Sequence, residues 1–470
     1  MKKLHFIAVA GTGMGSAAGV FSQAGYEVRG SDEAVYPPMS DVLRELGIAT
    51  MTPFSAENLA WRPDLAVVGN ICRYNHTEVL AAQERGVPLT SFPALLGQEI
   101  LAHRTALVVA GTHGKTTTST MLAWLLREAG LEPGWLIGGV PRDLPSGFHL
   151  GRGGGPFVLE GDEYDTAFFD KNPKFVRYRP KAAIVTGVEF DHADIYDSLE
   201  TVIEQFHRLA SLVPPSGLLL LCADNTVCRK IAAARGNGLL YGLEGDPDCD
   251  YQAINITSLD EGGFSFGLAF HGKSIGEFTM GLTGSHNLRN MTGALALAHS
   301  LGASVESLQK SVASFRGVKR RQEVLGEVGG ITVMDDFGHH PTAVALTLEG
   351  MQRKYQRIVA VFEPRSATSR RKVFQDAYVE AFSRASVVVV GKPYDQSHLD
   401  PDDRFSSELL VEGLRREGVD AFLGDSTEAL LEILISQAKS GDLVIFFSSG
   451  SFGGLHRALL NSLANATKAL

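Results

Sequence analysis

The segment ALVVAGTHGKTTTSTMLAWLLREAG, residues 106–130, decides the fold of this chain. An apolar, β-branched run ends at Gly111, a Gly-Lys-Thr sequence follows, and an apolar helix-forming stretch continues to Gly130. This order predicts a buried strand, a glycine turn and a helix whose N-terminus and backbone N–H groups bind phosphate. The predicted ATP-phosphate loop consists of Gly111, Thr112, His113, Gly114, Lys115, Thr116 and Thr117.

Two side chains of this loop have expected roles. The Lys115 amine would reach the terminal phosphates, and the Thr116 hydroxyl would bind Mg²⁺. One position departs from the usual pattern, because Val109 stands where a glycine is expected, five residues before Gly114. A chance glycine turn is the alternative, but a strand before it and a helix after it favour the phosphate loop.

Similar apolar runs recur along the chain, at 6–10, 65–69, 182–187, 357–362, 386–391 and 442–447. Short continuous runs separated by helical stretches predict parallel sheets that are buried on both faces. The polar, alternating stretch 250–282 predicts antiparallel strands instead. Because 470 residues exceed one ordinary core, we predict an α/β protein of three domains, 1–103, 104–317 and 318–470.

Composition excludes several classes of protein. The net charge of −10, from 43 basic and 53 acidic residues, argues against binding of nucleic acid or a membrane surface. No window of 18 apolar residues predicts a membrane span, and the glycines after residue 10 favour a strand over a signal peptide. Four cysteines without paired spacing suggest reduced thiols. We therefore expect a cytoplasmic protein with no obligate protein partner.

A second glycine loop follows the first apolar run. It comprises Gly11, Thr12, Gly13, Met14, Gly15 and Ser16. Asp32 lies at about the spacing of the acidic residue that binds a ribose in dinucleotide folds. Ser16 stands where that fingerprint needs glycine, so the pattern indicates a nucleotide or a sugar diphosphate. A purely structural loop remains the alternative.

Acidic and histidine side chains follow two further predicted strands. Glu160 ends the run FVLE, and His192 follows AAIVTG in the sequence EFDHAD. Ligands gather at the carboxyl ends of strands in such sheets, so Thr116, Glu160 and His192 could bind one divalent ion. Histidine is unusual for Mg²⁺, which prefers oxygen, and a polar strand end is the alternative.

The last part of the chain carries Arg320-Arg321 and the sequence DDFGHH at 335–340. Adjacent histidines on one loop point apart, so we expect phosphate or substrate contact there, or a helix that starts at Pro341. The simplest interpretation of 370–372, Arg-Arg-Lys, is a solvated helix face.

Taken together, these motifs resemble the Mur ligase family, the ATP-dependent amide-forming enzymes of bacterial cell-wall synthesis. The motifs are GTHGKTTT (111–118), EGDEYD (160–165), EFDHAD (189–194), GSHNLRN (284–290), RR (320–321) and DDFGHHPT (335–342). The resemblance implies a Rossmann-like N-terminal domain for the UDP-sugar, a central P-loop ATPase domain and a Rossmann-like C-terminal domain for the amine substrate.

The resemblance also implies residue roles. Catalysis would rest on Lys115, His192 and His339, the last near the reacting phosphate. Further ATP contacts would come from Asn287, Asn290, Arg321 and Asp336. Mg²⁺ would be held by Thr116, Glu160 and His192, with Glu163 a less certain ligand. The loop from Gly11 to Ser16, with Asp32, becomes a UDP-sugar site rather than a dinucleotide site.

Two reactions of the family compete. The sequence segments 161–180 and 363–375 favour the reaction of murein recycling. In it, L-alanyl-γ-D-glutamyl-meso-diaminopimelate is joined to UDP-N-acetylmuramate through an acyl phosphate. The motif at 335–342, in contrast, is like that of the ligase that adds L-alanine. A tripeptide brings extra carboxylates, for which Arg365, Arg370 and Arg371 are candidate partners.

Two other classes explain less of the chain. An NAD(P)-dependent oxidoreductase would account for the first glycine loop and leave the phosphate loop unexplained. A P-loop ATPase that acts as a switch would leave the third domain unexplained.

Overall fold

The structure, a computed structural model, describes residues 1–468, so the last two residues of the predicted third domain lie outside it. Within this range the strands form sheets of five, two, ten and six members. The three large sheets follow one another along the chain, and helices cover them, as the α/β prediction required. Among the helices of this range, none is both long and apolar enough to cross a membrane.

The first block, residues 3–99, contains a five-stranded parallel sheet of order β3-β2-β1-β4-β5. Its strands are β1 (Lys3–Ile7), β2 (Glu27–Ser31), β3 (Ala49–Met51), β4 (Leu65–Val68) and β5 (Leu89–Thr90). Its helices are α1 (Thr12–Gln23), α2 (Met39–Glu45), α3 (Thr77–Glu84) and α4 (Phe92–Glu99). The order is Rossmann-like, and the glycine loop lies between β1 and α1.

The central block, residues 105–314, contains the ten-stranded sheet, of order β17-β16-β15-β14-β13-β12-β6-β9-β7-β8. Its strands are β6 (Thr105–Ala110), β7 (Gly134–Leu136), β8 (Phe148–His149), β9 (Pro156–Gly161), β12 (Ala182–Val185), β13 (Leu218–Cys222), β14 (Leu239–Leu243), β15 (Tyr251–Ser258), β16 (Phe264–Phe270) and β17 (Lys273–Met280). A separate hairpin pairs β10 (Asp165–Ala167) with β11 (Asp170–Pro173). The antiparallel prediction for 250–282 is confirmed, because β15, β16 and β17 pair antiparallel.

The helices of the central block are α5 (Lys115–Glu128), α6 (Leu199–Leu212), α7 (Thr226–Arg235), α8 (Ser285–Ser300) and α9 (Val305–Ser314). Three of them start where a side-chain oxygen accepts an N–H of the first turn, from Ser198, Asn225 and Ser304. Helix α5 starts differently, at the phosphate loop, without a side-chain cap. Its first N–H groups therefore stay free for a ligand.

The third block, residues 323–468, contains a six-stranded sheet of order β18-β19-β23-β20-β21-β22. Its strands are β18 (Glu323–Val328), β19 (Ile331–Asp336), β20 (Ile358–Phe362), β21 (Val387–Gly391), β22 (Asp420–Gly424) and β23 (Leu443–Phe447). Its helices are α10 (Pro341–Gln352), α11 (Gln375–Phe382), α12 (Ser407–Arg416), α13 (Thr427–Gln437) and α14 (Leu455–Lys468). Only β18 pairs antiparallel with its neighbour, so the block is again Rossmann-like.

The apolar strand runs place side chains in cores on both faces of each sheet. In β6, Ala106, Val108 and Ala110 join one core cluster, while Leu107 and Val109 join the other. The first of these clusters also contains Phe6 and its neighbours, so the first and central blocks share one apolar core. This shared core fixes the two glycine loops relative to each other.

Candidate active site

Glycine is required at two positions of the phosphate loop. Gly111 has a φ of +133°, and a Cβ there would lie 2.2 Å from the Thr186 hydroxyl. Gly114, the residue before α5, has a φ of +81°, and its Cβ would lie 2.8 Å from the Asn290 side-chain oxygen. The loop therefore turns tightly between β6 and α5 while Asn290 packs directly against it.

The Lys115 amine points back into the loop. It donates to the Gly111 carbonyl at 2.6 Å and lies 3.1 Å from Glu163 Oε2. Glu163 is 1% exposed, so this is a buried ion pair. Burial alone would lower the pKa of Lys115, but the carboxylates of Glu163 and Asp162 outweigh it and raise that pKa. The amine is therefore charged and positioned to meet an anion at the start of α5.

Glu160, at the end of β9, faces the same helix start. Its Oε2 accepts from the Thr116 hydroxyl at 3.2 Å, and its Oε1 accepts from the Gly138 N–H at 2.8 Å. Burial raises the pKa of Glu160, a penalty that a bound cation would remove. The Thr116 hydroxyl and the half-buried Glu160 carboxylate thus offer two oxygen ligands side by side, which suits Mg²⁺.

His192 contacts Glu163 rather than Glu160. Its backbone has a φ of +57°, and its Nε2 lies 3.2 Å from Glu163 Oε1. Burial would lower the pKa of His192, but the bond to Glu163 raises it. The structure thus brings the predicted residues to one edge of the sheet in two pairs, Thr116 with Glu160 and His192 with Glu163. The Glu163 carboxylate contacts both Lys115 and His192. The sequence indicated only a less certain metal ligand at this position.

Residues of the third block reach this edge through the segment that follows α9. The Asp336 carboxylate accepts the Gln322 N–H at 2.9 Å and the Gly338 N–H at 2.6 Å, which braces both loops. The charge of Arg321 acts on both Asp336 and Glu160. On the central block, Asn287 donates to the Thr283 carbonyl at 2.8 Å, beside Gln322.

His339 follows β19 and is fixed by backbone contacts. Its Nδ1 lies 3.1 Å from the Phe337 carbonyl, and the Tyr378 hydroxyl donates to the His339 carbonyl. Burial lowers the pKa of His339, so its neutral form prevails near neutral pH. With Nδ1 donating to Phe337, Nε2 would act as an acceptor.

The third block also contacts loop 189–192 of the central block directly. The Thr368 hydroxyl donates to Asp191 Oδ1 at 2.7 Å, and the Thr342 hydroxyl donates to Glu189 Oε2 at 2.7 Å. Sequence reasoning missed Thr368, because a threonine in the loop after β20 carries no signal of a contact made elsewhere. These contacts hold His339 and His192 on the same side of the phosphate loop.

In the glycine loop of the first block, two roles separate. Gly11, Thr12 and Gly13 are exposed where α1 begins, whereas Met14, Gly15 and Ser16 are buried. A Cβ on Gly15 would lie 2.2 Å from the Met39 sulfur, so this glycine serves helix packing. Asp32 accepts the Ala10 N–H at 2.8 Å and thereby fixes the strand end before the loop.

The arginines after β20 differ in their surroundings. The Arg365 guanidinium lies 4.1 Å from the Tyr394 ring centroid and 3.6 Å from Glu363. Arg370 donates to the Ser366 and Asp395 carbonyls, and Arg371 pairs with Asp403. The solvated helix face predicted for 370–372 is therefore wrong, because two of these side chains hold a neighbouring loop.

Three family descriptions match successive parts of the chain. They are "Mur ligase family, catalytic domain" at 3–104, "Mur ligase middle domain" at 109–298 and "Mur ligase, glutamate ligase domain" at 320–450. Together they span the three sheets in order.

Individual relatives are similar over nearly their whole lengths. The UDP-N-acetylmuramate–L-alanyl-γ-D-glutamyl-meso-2,6-diaminoheptandioate ligase of Escherichia coli is 37% identical, with 99% of each chain covered. The enzyme of the same name from Haemophilus influenzae is 38% identical, with 98% of this chain and 99% of the relative covered. A UDP-N-acetylmuramate–L-alanine ligase of Desulfitobacterium hafniense is 30% identical, with 97% and 99% covered.

A solved structure extends this likeness to three dimensions. The murein peptide ligase of Psychrobacter arcticus superimposes with a TM-score of 0.74 at 32% identity and covers 99% of both chains.

Proposed function

The chain belongs to the Mur ligase family, ATP-dependent enzymes that form C–N bonds in peptidoglycan synthesis, and from this premise we propose its reaction. It joins L-alanyl-γ-D-glutamyl-meso-diaminopimelate to UDP-N-acetylmuramate, in the recycling of cell-wall peptide. The observation that carries the proposal is the full-length similarity to two tripeptide ligases, which exceeds that to the L-alanine ligase. A cytoplasmic location and independence of a partner protein belong to the same proposal.

The chemistry needs an activated acid, because a free carboxylate does not acylate an amine. The γ-phosphoryl group of ATP would pass to the lactyl carboxylate, and the peptide amine would attack the resulting acyl phosphate. Charge then develops on phosphoryl oxygens and on the tetrahedral centre. The Lys115 amine is the chain's own charged group for stabilising it, and the His339 imidazole would add a second one in its protonated form, in which Nε2 becomes a donor. The reaction needs no enzyme nucleophile.

A divalent ion has a suitable place beside the phosphate loop. Thr116, Glu160 and His192 would hold Mg²⁺, with Glu163 as a further carboxylate. Bound there, the ion would supply positive charge to phosphate oxygens. The protein itself positions the Lys115 amine, which Glu163 keeps charged.

Closure of the third block protects the acyl phosphate from water. The contacts of Thr368 with Asp191 and of Thr342 with Glu189 would form on closure and break on product release. The UDP-sugar would bind at the exposed start of α1, where Gly11, Thr12 and Gly13 present backbone N–H groups. The domain boundaries 1–103, 104–317 and 318–470 divide these tasks.

A phosphate-release assay tests the proposed function. Purified protein with ATP and UDP-N-acetylmuramate is given either the tripeptide or L-alanine at equal concentrations. We expect phosphate release and amide formation with the tripeptide and a much lower kcat/KM with L-alanine. If L-alanine serves as well or better, the chain is the L-alanine-adding enzyme. If neither amine supports release, the proposed reaction fails.

Removal of either proposed metal ligand should raise the Mg²⁺ requirement. We expect Glu160→Ala and His192→Ala each to increase the half-saturating Mg²⁺ concentration by about tenfold or more and to lower kcat. The measurement is the rate as a function of Mg²⁺ at saturating substrates. An unchanged titration with reduced stability would mean that His192 is only a packed strand end.

Arg365 is the proposed partner of a peptide carboxylate. Its guanidinium is half-buried, lies on the Tyr394 ring and has a loose contact with Glu363, so it can turn to a new partner. Loss of one charged hydrogen bond typically costs about 1.5–3 kcal/mol, so Arg365→Ala should raise the tripeptide KM about 10- to 100-fold. The ATP KM should change little. Arg384→Ala is the matched control, because the Arg384 guanidinium donates to the Glu380 carbonyl of α11 in an exposed setting.

A further inference from the structure

A second cluster of metal-ligating side chains lies at the junction of the central and third blocks. His113 comes from the phosphate loop, Glu189 from the loop after β12, and His340 from the residue before α10. Their ligand atoms all lie within 4.8 Å of one another, and no other such trio of His, Cys, Asp or Glu occurs in residues 1–468. The proposed function assigns these three side chains no common task.

The spacing of the cluster suits an ion better than hydrogen bonds. His113 Nε2 lies 3.5 Å, and His340 Nδ1 lies 3.8 Å, from the same oxygen, Glu189 Oε2. Both distances exceed the usual length of about 2.8 Å for a charge-assisted hydrogen bond. Ligands about 2.0–2.1 Å from a tetrahedral Zn²⁺ stand about 3.4 Å apart, close to these values.

The ligand atoms are also available. His113 Nε2 is buried and has no hydrogen-bond partner. His340 Nε2 lies 3.3 Å from the Phe190 carbonyl, so a donated N–H there leaves the Nδ1 lone pair facing Glu189. Ligating histidines usually donate their second ring nitrogen in this way. The other contact of His340 Nδ1 is with the Thr342 N–H, and at 3.3 Å this hydrogen bond is long.

Charge favours a cation at this point. Burial would raise the pKa of Glu189, but the neighbouring imidazoles of His113 and His340 and the hydrogen bond from the Thr342 hydroxyl outweigh it and lower that pKa to about 2. Burial, with the neighbouring His113, lowers the pKa of His340 to about 3. Near neutral pH the cluster thus holds a carboxylate and at least one neutral imidazole, the forms that bind metal.

We propose that His113, Glu189 and His340 form a site for one transition-metal ion of the Zn²⁺ class, separate from the proposed Mg²⁺ site. Two imidazoles and one carboxylate suit Zn²⁺ or Co²⁺, whereas Mg²⁺ prefers oxygen ligands throughout. An ion here joins the phosphate loop to the residue just before α10. It ties the third block to the central block and slows the opening that releases products.

Metal binding to the full-length protein tests the site without reference to activity. In equilibrium dialysis, Zn²⁺ is the ion measured, and excess Mg²⁺ is present to occupy the other site. We expect one Zn²⁺ bound per chain. His340→Asn should weaken binding by about 100-fold or more, because loss of a residue that only orients a metal ligand already costs about 10- to 100-fold. Asparagine can still accept the Thr342 N–H, so the start of α10 is kept. Glu189→Gln, which keeps an acceptor for the Thr342 hydroxyl, should weaken binding likewise.

His192→Asn, in the neighbouring site, is the control and should leave Zn²⁺ binding unchanged. The proposal is overturned if wild type binds no Zn²⁺ under these conditions, or if His192→Asn abolishes binding while His340→Asn does not. Thermal unfolding without metal checks that both test variants fold. Added Zn²⁺ should raise the midpoint of the wild type and not that of Glu189→Gln, and equal shifts would also overturn the proposal.

Discussion

Lys115→Ala should lower the rate of amide formation by about 10²–10³ at saturating substrates while the protein still folds. Loss of one preorganised charge on a transferring phosphoryl group typically has this effect. Lys115 is the first residue of α5, and its amine is held by the Gly111 carbonyl and by Glu163. Glu163 keeps His192 as a partner in the variant, so its carboxylate is not left alone.

The measurement is single-turnover phosphate transfer, which separates chemistry from product release. Lys171→Ala is the matched control, because Lys171 forms an exposed ion pair with Asp165 and should leave the rate unchanged. Near-normal transfer by Lys115→Ala, with circular dichroism like that of the wild type, would remove Lys115 from the reaction.

Much of the fold could be predicted because local sequence and burial agree. Runs such as 387–391, four valines and a glycine, contain no polar side chain and form strands buried on both faces, as β21 does. The alternating stretch 250–282 forms antiparallel strands for the same reason. The short strands β7 and β8, at one end of the ten-stranded sheet, could not be predicted, since three and two residues carry no periodicity and depend on pairing with β9 and each other.

The sequence predicts which residues form the site, but not which of them contact each other. A motif shows that a carboxylate follows a strand, but not which carboxylate the next loop will meet. Glu160 lies at the end of β9 and Glu163 follows that strand; Glu160 meets Thr116, whereas Glu163 meets Lys115 and His192. Contacts of this kind depend on backbone angles, such as the positive φ of His192, that spacing does not record.

Asp32 illustrates the same limit in the first block. Its distance along the chain from the glycine loop is that of a ribose ligand, yet its carboxylate accepts the Ala10 N–H. A carboxylate at the end of β2 can bind the ligand or hold the loop that binds the ligand. The spacing in the sequence is the same in both cases, so it does not distinguish them. The cluster of His113, Glu189 and His340 is invisible to sequence reasoning because three separate loops supply it.

Glu163→Ala should have the largest effect on stability, lowering the free energy of unfolding by about 3–5 kcal/mol. Removing one member of a buried pair leaves its partner charged and unpaired, and here both Lys115 and His192 lose the same carboxylate. Denaturant unfolding gives the value. Asp165→Ala, which removes the carboxylate of an exposed pair with Lys171, should cost about 1 kcal/mol or less.

A double-mutant cycle then separates the ion pair from mere packing. If the cost of Glu163→Ala comes from the unpaired Lys115 amine, Lys115→Ala should remove part of that cost. The double variant would be more stable than the sum of the single losses predicts, by about 1–3 kcal/mol. Additive losses would mean that Glu163 stabilises the site through its bond to His192 or its volume. Activity should not return in the double variant, because the restored stability comes without the charge that the transferring phosphoryl group needs.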